Sequence, residues 1–227
     1  MPDDPPPRSE ATGLSILALV DLHRSPSRPL DLPDVQGVDL VLLGGDLTNF
    51  RGVEEASAII EELRADDVAV LAVCGNCDKP EVEGYLAAEE LDLDRTARSF
   101  GDLKLVGISG GLPFGGCPYE RSEGEFEAAA DQAFAAAAAL DASGPTVLLS
   151  HQPPHGTACD QARGRHVGSH AIRKAIERYQ PELVICGHIH ESIGRDRIGH
   201  SQIVNPGPWF QGNSMRINVV GHNLAIE

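Results

Sequence analysis

Long hydrophobic runs, an even set of cysteines and an apolar leader are missing from this sequence and lysine is scarce, and each shortage argues against a class of function. The longest apolar stretch, Leu14 to Val20, is interrupted by Ser15 and followed by Asp21, far short of the roughly 20 residues that a membrane-spanning helix needs. Met1 to Gly13 is acidic and proline-rich, where an export signal needs a basic start and an apolar stretch. The expectation is a disordered tail over residues 1–13 of a cytoplasmic protein. Lysine occurs only at Lys79, Lys104 and Lys174, and 34 acidic residues stand against 18 basic ones, for a net charge of −16. Such a surface repels nucleic acid and anionic membrane at low salt, so stable binding to duplex DNA is not expected. The same lysine-poor acidity also suits a cytoplasm with molar salt, where the screening length is about 3 Å. The cysteines (Cys74, Cys77, Cys117, Cys159 and Cys186) are odd in number, which argues for reduced thiols rather than a disulfide framework. Cys74 and Cys77 have CxxC spacing, but no second pair accompanies them, which argues against a zinc knuckle or a redox motif. No repeat or linker divides the chain, so a single domain over residues 14–227 is expected.

What is present is the composition of an ordinary folded domain, 227 residues of which 41% are hydrophobic, enough to bury a sizeable core. Apolar, β-rich runs lie at Leu14 to Val20, Val38 to Leu43, Val68 to Val73, Leu103 to Ile108, Thr146 to Leu149 and Leu183 to Cys186, and read as buried strands. Helical patterns alternate with them at Val53 to Ala65, Glu81 to Leu91, the alanine-rich Glu123 to Leu140, and Ser169 to Tyr179, so the class is α/β. Ser122 with Glu125 forms a capping box, and Ser169 is a candidate cap for the helix that follows it. From Ile198 onward the pattern changes to short strands, Gln202 to Val204 and Met215 to Val220, with Asn-Pro-Gly turn chemistry. Gly110 to Gly124 is too rich in glycine and proline for either element. It reads as a loop, either flanking a substrate or simply crossing the surface.

Polar residues collect at the carboxyl ends of five strand candidates: Asp21-Leu22-His23, Gly44-Gly45-Asp46, Gly75-Asn76-Cys77-Asp78, Ser150-His151 and Gly187-His188-Ile189-His190. In open α/β sheets these ends form the ligand crevice. Taken singly, each has a bland reading as a turn, a cap or a surface histidine. His188 and His190 are the stronger signal, because alternate residues of an extended segment point to one side. Together the two aspartates, one asparagine and four histidines make an oxygen and imidazole set suited to two borderline divalent ions.

The ordered motifs DLH, GGDLTN, GNCD, SHQPP and GHIH, running from Leu14 to Pro208, resemble the calcineurin-like metallophosphoesterase superfamily. The short chain, the GNCD variant and the tail IVNPGP resemble its small predicted phosphoesterases, related to the cyclic-nucleotide phosphodiesterase group. The resemblance implies a four-layer α/β/β/α sandwich of two mixed sheets. It implies that Asp21, His23, Asp46 and His190 hold one ion and Asp46, Asn76, His151 and His188 a second, with Asn76 and His151 also facing substrate. The cofactor expected is a pair of divalent transition-metal ions, manganese first, with iron, nickel, zinc or cobalt as alternatives. The reaction implied is hydrolysis of a small phosphoester or nucleotide, a diester more than a monoester, by hydroxide bridging two metals. A nuclease of the same superfamily and a non-catalytic binding module with the same fold are the competing readings.

One position departs from the family. Where most members have a histidine after the asparagine, this chain has Cys77. That histidine is the usual proton donor to the leaving oxygen, oriented by an acidic residue whose counterpart here is Asp78. A thiol is a poor donor to an alkoxide, so either good leaving groups are preferred or His155 donates instead; the alternatives are that Cys77 only packs and that His155 is a loop residue. Arg163, Arg165, His166, Ser169 and His170 could contact a phosphate, Trp209 and Phe210 could stack on a base or belong to the core, and Asn205-Pro206-Gly207 reads as a turn.

Overall fold

The computed structural model describes residues 13–27, 31–64 and 68–227; the expected tail, Gly13 apart, lies outside the described residues. The elements in chain order are β1 (Leu14–Leu19), β2 (Leu40–Gly44), α1 (Val53–Arg64), β3 (Ala69–Val73), α2 (Pro80–Ala88), β4 (Ala97–Phe100), β5 (Leu103–Ile108), α3 (Glu123–Ala138), β6 (Thr146–Ser150), β7 (Gln161–Ala162) and β8 (Arg165–His166). The chain continues with α4 (His170–Tyr179), β9 (Leu183–Ile185), β10 (Gly194–Ile198), β11 (Ser201–Asn205), a 3₁₀ turn at Trp209–Gln211, β12 (Met215–Val220) and β13 (Asn223–Ile226).

Two large sheets carry the fold, ordered β13-β12-β1-β2-β3 and β10-β11-β9-β6-β5-β4. Their centres are parallel: β1, β2 and β3 in one, and β5, β6, β9 and β11 in the other. Strands buried on both faces read as continuous apolar runs, which is why these are visible in the sequence. Side-chain alternation sorts the residues into three apolar layers. Leu17, Leu19, Val41 and Leu43 pack under Ile59, Ile60, Leu63, Val82 and Leu86 of α1 and α2. Their alternates Ile16, Ala18, Leu40 and Leu42 meet Leu105, Val147, Leu149 and Ile185 of the second sheet. The far side of that sheet, with Val106, Leu148 and Val184, is covered by Phe126, Ala133, Ile172 and Ile176 of α3 and α4. The result is an α/β/β/α sandwich of two mixed sheets, as expected.

Local chemistry fixes the helix ends. Ser122 Oγ accepts from the Glu125 N–H at 3.3 Å while the Glu125 carboxylate accepts from the Ser122 N–H at 2.8 Å, completing the capping box of α3. Ser169 caps α4, accepting from Ile172 N–H at 3.1 Å. The Glu123 carboxylate accepts from the backbone N–H groups of His170 and Ala171 at 2.9 and 2.8 Å, so an internal anion occupies that helix terminus. Helix α2 ends at Ala88, short of the expected Leu91, because Glu90 turns left-handed (φ 59°) and Leu91 N–H bonds back to Leu86 O at 2.8 Å, a Schellman closure. Among the described residues no helix is long and apolar enough to cross a membrane.

Candidate metal centre

Strands β1, β2, β3, β6 and β9 all deliver their carboxyl ends to one edge of the sandwich, and each is followed at once by the polar residues singled out above. Four of these residues, Asp21, His23, Asp46 and His188, take positive φ of 52°, 51°, 47° and 67°, a region that costs non-glycine residues free energy and is frequent at functional sites. The surroundings hold them there. Asp21 N–H donates to Gly45 O at 3.1 Å and His23 N–H to Asp46 O at 2.8 Å, which ties the turns after β1 and β2 together. Glycine is required where these turns crowd: a Cβ on Gly45 would strike the His151 ring, and one on Gly75 would strike Asp46.

The side chains converge on Asp46. Its Oδ2 lies 3.5 Å from His23 Nε2 and its Oδ1 lies 3.5 Å from His151 Nε2. On one side His23 Nε2 stands 3.1 Å from His190 Nε2, and His190 Nε2 stands 3.6 Å from Asp21 Oδ1. On the other, His151 Nε2 is 3.1 Å from Asn76 Oδ1, and the His188 ring packs edge-on to His151 with centroids 5.1 Å apart. The His188 N–H donates to both oxygens of Asp21 at 3.1 and 3.0 Å. The structure therefore gathers all seven expected donors.

The electrostatics of this cluster call for a cation. Asp21 and Asp46 are fully or almost fully buried, and among the described residues no lysine or arginine pairs with either. Burial raises the Asp21 carboxyl, but the neighbouring His190, His151 and His23 more than offset this and leave it lowered. Burial, with Asp21 nearby, holds Asp46 above the ordinary carboxylate value despite His151. Burial lowers His23 to about 4 and His188 to about 3, so both rings are neutral, as metal ligands must be. His151 Nδ1 faces Gly44 O at 3.0 Å. A carbonyl can only accept, so Nδ1 donates, which leaves Nε2, directed at Asn76 Oδ1 and Asp46, as the nitrogen a metal would take. Imidazole nitrogens and an amide oxygen gathered beside buried carboxylates fit a divalent ion, and three groups, Asp21–His23–His190, Asp21–Asp46–His151 and His23–Asp46–Cys77, have donor atoms within 4.8 Å of each other.

The residues expected to handle protons are Cys77, Asp78 and His155. Cys77 is buried beside Asp46, and its backbone N–H donates to Asp46 Oδ1 at 2.8 Å. Asp78 lies underneath, its carboxylate accepting from the N–H groups of Leu47, Thr48 and Gly75 at 3.1, 2.8 and 2.9 Å and from Thr48 Oγ1 at 3.0 Å. That ties the loops after β2 and β3 to each other, while burial raises Asp78 to about 6. His155 stacks on His170 with centroids 3.8 Å apart and lies 5.6 Å from His166, whose Nδ1 bonds Asp160 at 2.7 Å.

Aromatic and loop residues complete the rim. Phe210 packs edge-on against the rings of His23 and His190 at 5.5 and 5.2 Å, whereas Trp209 packs against the core layer under α1 and α2. Sequence pattern could not separate these neighbours, because the 3₁₀ turn that points them apart has no periodic signature. The loop from Gly110 also reaches the site: Tyr119 N–H donates to Asn76 O at 3.1 Å, and Gly111 lies against the Asn76 side chain.

Comparison with known proteins agrees with this fold. The calcineurin-like phosphoesterase superfamily domain matches residues 14–220. The uncharacterized protein MJ1162 of Methanocaldococcus jannaschii is 34% identical over 206 residues, spanning 86% of this chain and 88% of that protein. Among solved structures, TT1561 of Thermus thermophilus superposes with a TM-score of 0.67 at 19% identity, over 95% of this chain and 99% of that one. A dimetal phosphatase from Danio rerio superposes with a TM-score of 0.60 at 12% identity, over 94% and 95%. At such identities these two structures speak to the fold alone.

Proposed function

Because the chain belongs to the calcineurin-like phosphoesterase superfamily, we propose that it is a dinuclear-metal phosphoesterase that hydrolyses phosphodiester bonds of small or nucleotide substrates. The observation that carries this reading is the position of Asp46, with one carboxylate oxygen toward His23 and the other toward His151. It divides the donors into Asp21, His23 and His190 on one side and Asn76, His151 and His188 on the other, with Asp46 shared. The Danio rerio protein that shares the fold is described as a dimetal phosphatase, the number of ions proposed here. Two divalent ions bound there would lower the pKa of coordinated water and neutralise charge on a phosphate.

The chain's own residues do the rest. Asp21 and Asp46 supply the negative charge, and their burial keeps water from competing for it. Gly44 O holds His151 in the tautomer that presents Nε2, and the Asp21 carboxylate fixes the backbone of His188, so both rings are oriented before any ligand arrives. Asn76 and His151 face a substrate phosphate across the crevice. Phe210 covers the imidazoles of His23 and His190.

The test uses the full chain, stripped by chelation and reloaded with Mn²⁺, Fe²⁺, Co²⁺, Ni²⁺ or Zn²⁺, assayed on bis(p-nitrophenyl) phosphate, p-nitrophenyl phosphate and cyclic nucleotides. The expected result is close to two bound ions per chain, diesters cleaved faster than the monoester, and a fall in kcat/KM of more than about 100-fold in Asp46→Asn, beyond what loss of an outer partner causes. Failure to take up any ion would leave a binding module in place of an enzyme. Faster monoester cleavage would make it a phosphomonoesterase.

A further inference from the structure

Cys77 does not stand apart from the donors. Its Sγ shares a group with a His23 ring nitrogen and an Asp46 carboxylate oxygen in which every donor atom lies within 4.8 Å of the others. Its backbone and its sulfur are each engaged. Its backbone N–H is fixed on Asp46 Oδ1 at 2.8 Å, and Asn76 Nδ2 approaches Sγ at 3.5 Å. With 6% exposure, the sulfur has little room to turn toward solvent. Ligand atoms on one ion, with metal–sulfur bonds near 2.3 Å and metal–nitrogen bonds near 2.0 Å, stand roughly 3–4 Å apart, so small side-chain rotations would bring Sγ onto an ion held by Asp46 and His23. Cysteine is also shorter than the histidine usual at this position, which keeps its reactive atom close to its own backbone and therefore close to Asp46.

We propose that Cys77 is a thiolate ligand of the ion held by Asp21, His23, Asp46 and His190, converting a nitrogen and oxygen site into one that also offers sulfur. The inference rests on the metal-centre reading above. Its chemistry balances without any oxidant: the Sγ–H bond breaks, the proton passes to solvent, the sulfur lone pair forms the bond to the ion, and nothing changes oxidation state. Sulfur shifts selectivity away from hard ions such as Mg²⁺ and Mn²⁺ and toward Zn²⁺, Co²⁺ and Fe²⁺. The native ion at this position is accordingly softer than manganese.

Cobalt provides a readout independent of turnover. Titration of Co²⁺ into the metal-stripped full chain is expected to produce visible ligand-field bands together with a near-ultraviolet sulfur-to-cobalt charge-transfer band. In Cys77→Ser and Cys77→Ala, both checked for wild-type circular dichroism, the charge-transfer band should vanish while the ligand-field bands persist. Competition between Zn²⁺ and Mn²⁺ should shift toward Mn²⁺ by about tenfold or more in the same variants, on the scale at which a ligand change alters affinity. Ligand-field bands without charge transfer in the wild type would overturn the role of Cys77 and leave the metal centre standing, as would a charge-transfer band that survives both substitutions. No uptake of Co²⁺ at all would overturn the metal centre and this inference with it.

Discussion

Asp46 is a carboxylate buried, among the described residues, without an arginine or lysine paired to it, and this sets what its substitution does in the absence of metal. Its folded pKa is raised by burial and by Asp21, so the ionised form opposes folding once the pH exceeds the unfolded value near 3.9. Asn keeps the shape and can still accept from the Cys77 N–H. In the metal-stripped protein Asp46→Asn is therefore expected to raise the Tm at pH 7, and in the metal-loaded protein to lower it, because a ligand is lost. Thermal melts with and without chelator check the change of sign. Cys77 carries the second expectation at this scale. Burial, followed by Asp46, pushes its thiol well above the ordinary range, and a metal-bound thiolate would have no proton to give, so in neither state does it protonate a departing alkoxide. Wild type should favour aryl over alkyl phosphodiesters, and Cys77→His should narrow that gap by raising alkyl turnover, within the roughly 10²–10⁴-fold that general acids supply. A selective loss of alkyl turnover in His155→Ala would instead identify His155 as the donor.

The loop between β5 and α3 is held by a pair that no local pattern announces. Arg121 donates to Asp94 through both Nη1 and Nη2, at 2.8 and 2.6 Å, and Arg121 and Asp94 are 7% and 5% exposed. Ser109 N–H and Arg95 Nε, each at 2.7 Å, and the Tyr119 hydroxyl at 3.5 Å also donate to the carboxylate. Removing Arg121 leaves the buried Asp94 with Arg95 as its remaining cation, so Arg121→Met should destabilise by less than the cost of a wholly unpaired buried charge, about 3–5 kcal/mol; and because the loop buttresses Asn76, it should weaken activity as well. Burial raises the Asp94 carboxyl, but Arg121 outweighs it and leaves the folded pKa lowered. The stabilisation is thus fully present above the unfolded value near 3.9 and lost as pH falls through the lower folded value. Urea unfolding at pH 7 and pH 3 should show the wild-type excess over Arg121→Met shrinking at the acid end. The sequence could place this stretch as a loop, since glycine and proline forbid regular structure there, but not its anchor, which joins residues 27 positions apart. Strands followed the same division. The parallel interior strands β1, β2, β5, β6 and β9 were legible because burial on both faces demands unbroken apolar runs, and β3, although last in its sheet, carries the similar run AVLAV, whereas the edge strands β4, β10 and β13 include sequences such as ARSF and GRDRI that show no such run. The donors were legible because each follows a legible strand. The approach of Cys77 to Asp46 was not, since it depends on how the two left-handed turns and Asp78 lock their loops together.

Charge belongs to the whole molecule. A net −16 spread over 227 residues acts within a body whose radius of gyration is about 17 Å for that length. At roughly 0.01 M salt the screening length of about 30 Å exceeds this radius, so surface carboxylates on opposite faces repel, while at about 1 M it falls to about 3 Å and only near neighbours interact. Compaction concentrates the charge and the unfolded chain disperses it, so the repulsion acts against the folded state. The Tm should therefore rise steadily as NaCl increases from about 0.01 M to 1 M. An anionic phosphodiester meets the same field on approach, although two divalent ions against the carboxylates of Asp21 and Asp46 would make the crevice itself attractive at short range. The distant field governs encounter and the near one governs binding, so added salt should raise kcat/KM for a charged diester at low ionic strength while leaving kcat nearly constant. Kinetics of a metal-loaded sample over an NaCl series, with a neutral phosphotriester as the uncharged control for binding, decide the matter. A kcat/KM for the charged diester that falls with salt from the outset would mean that attraction at the crevice, rather than the net charge of the surface, controls how substrate arrives.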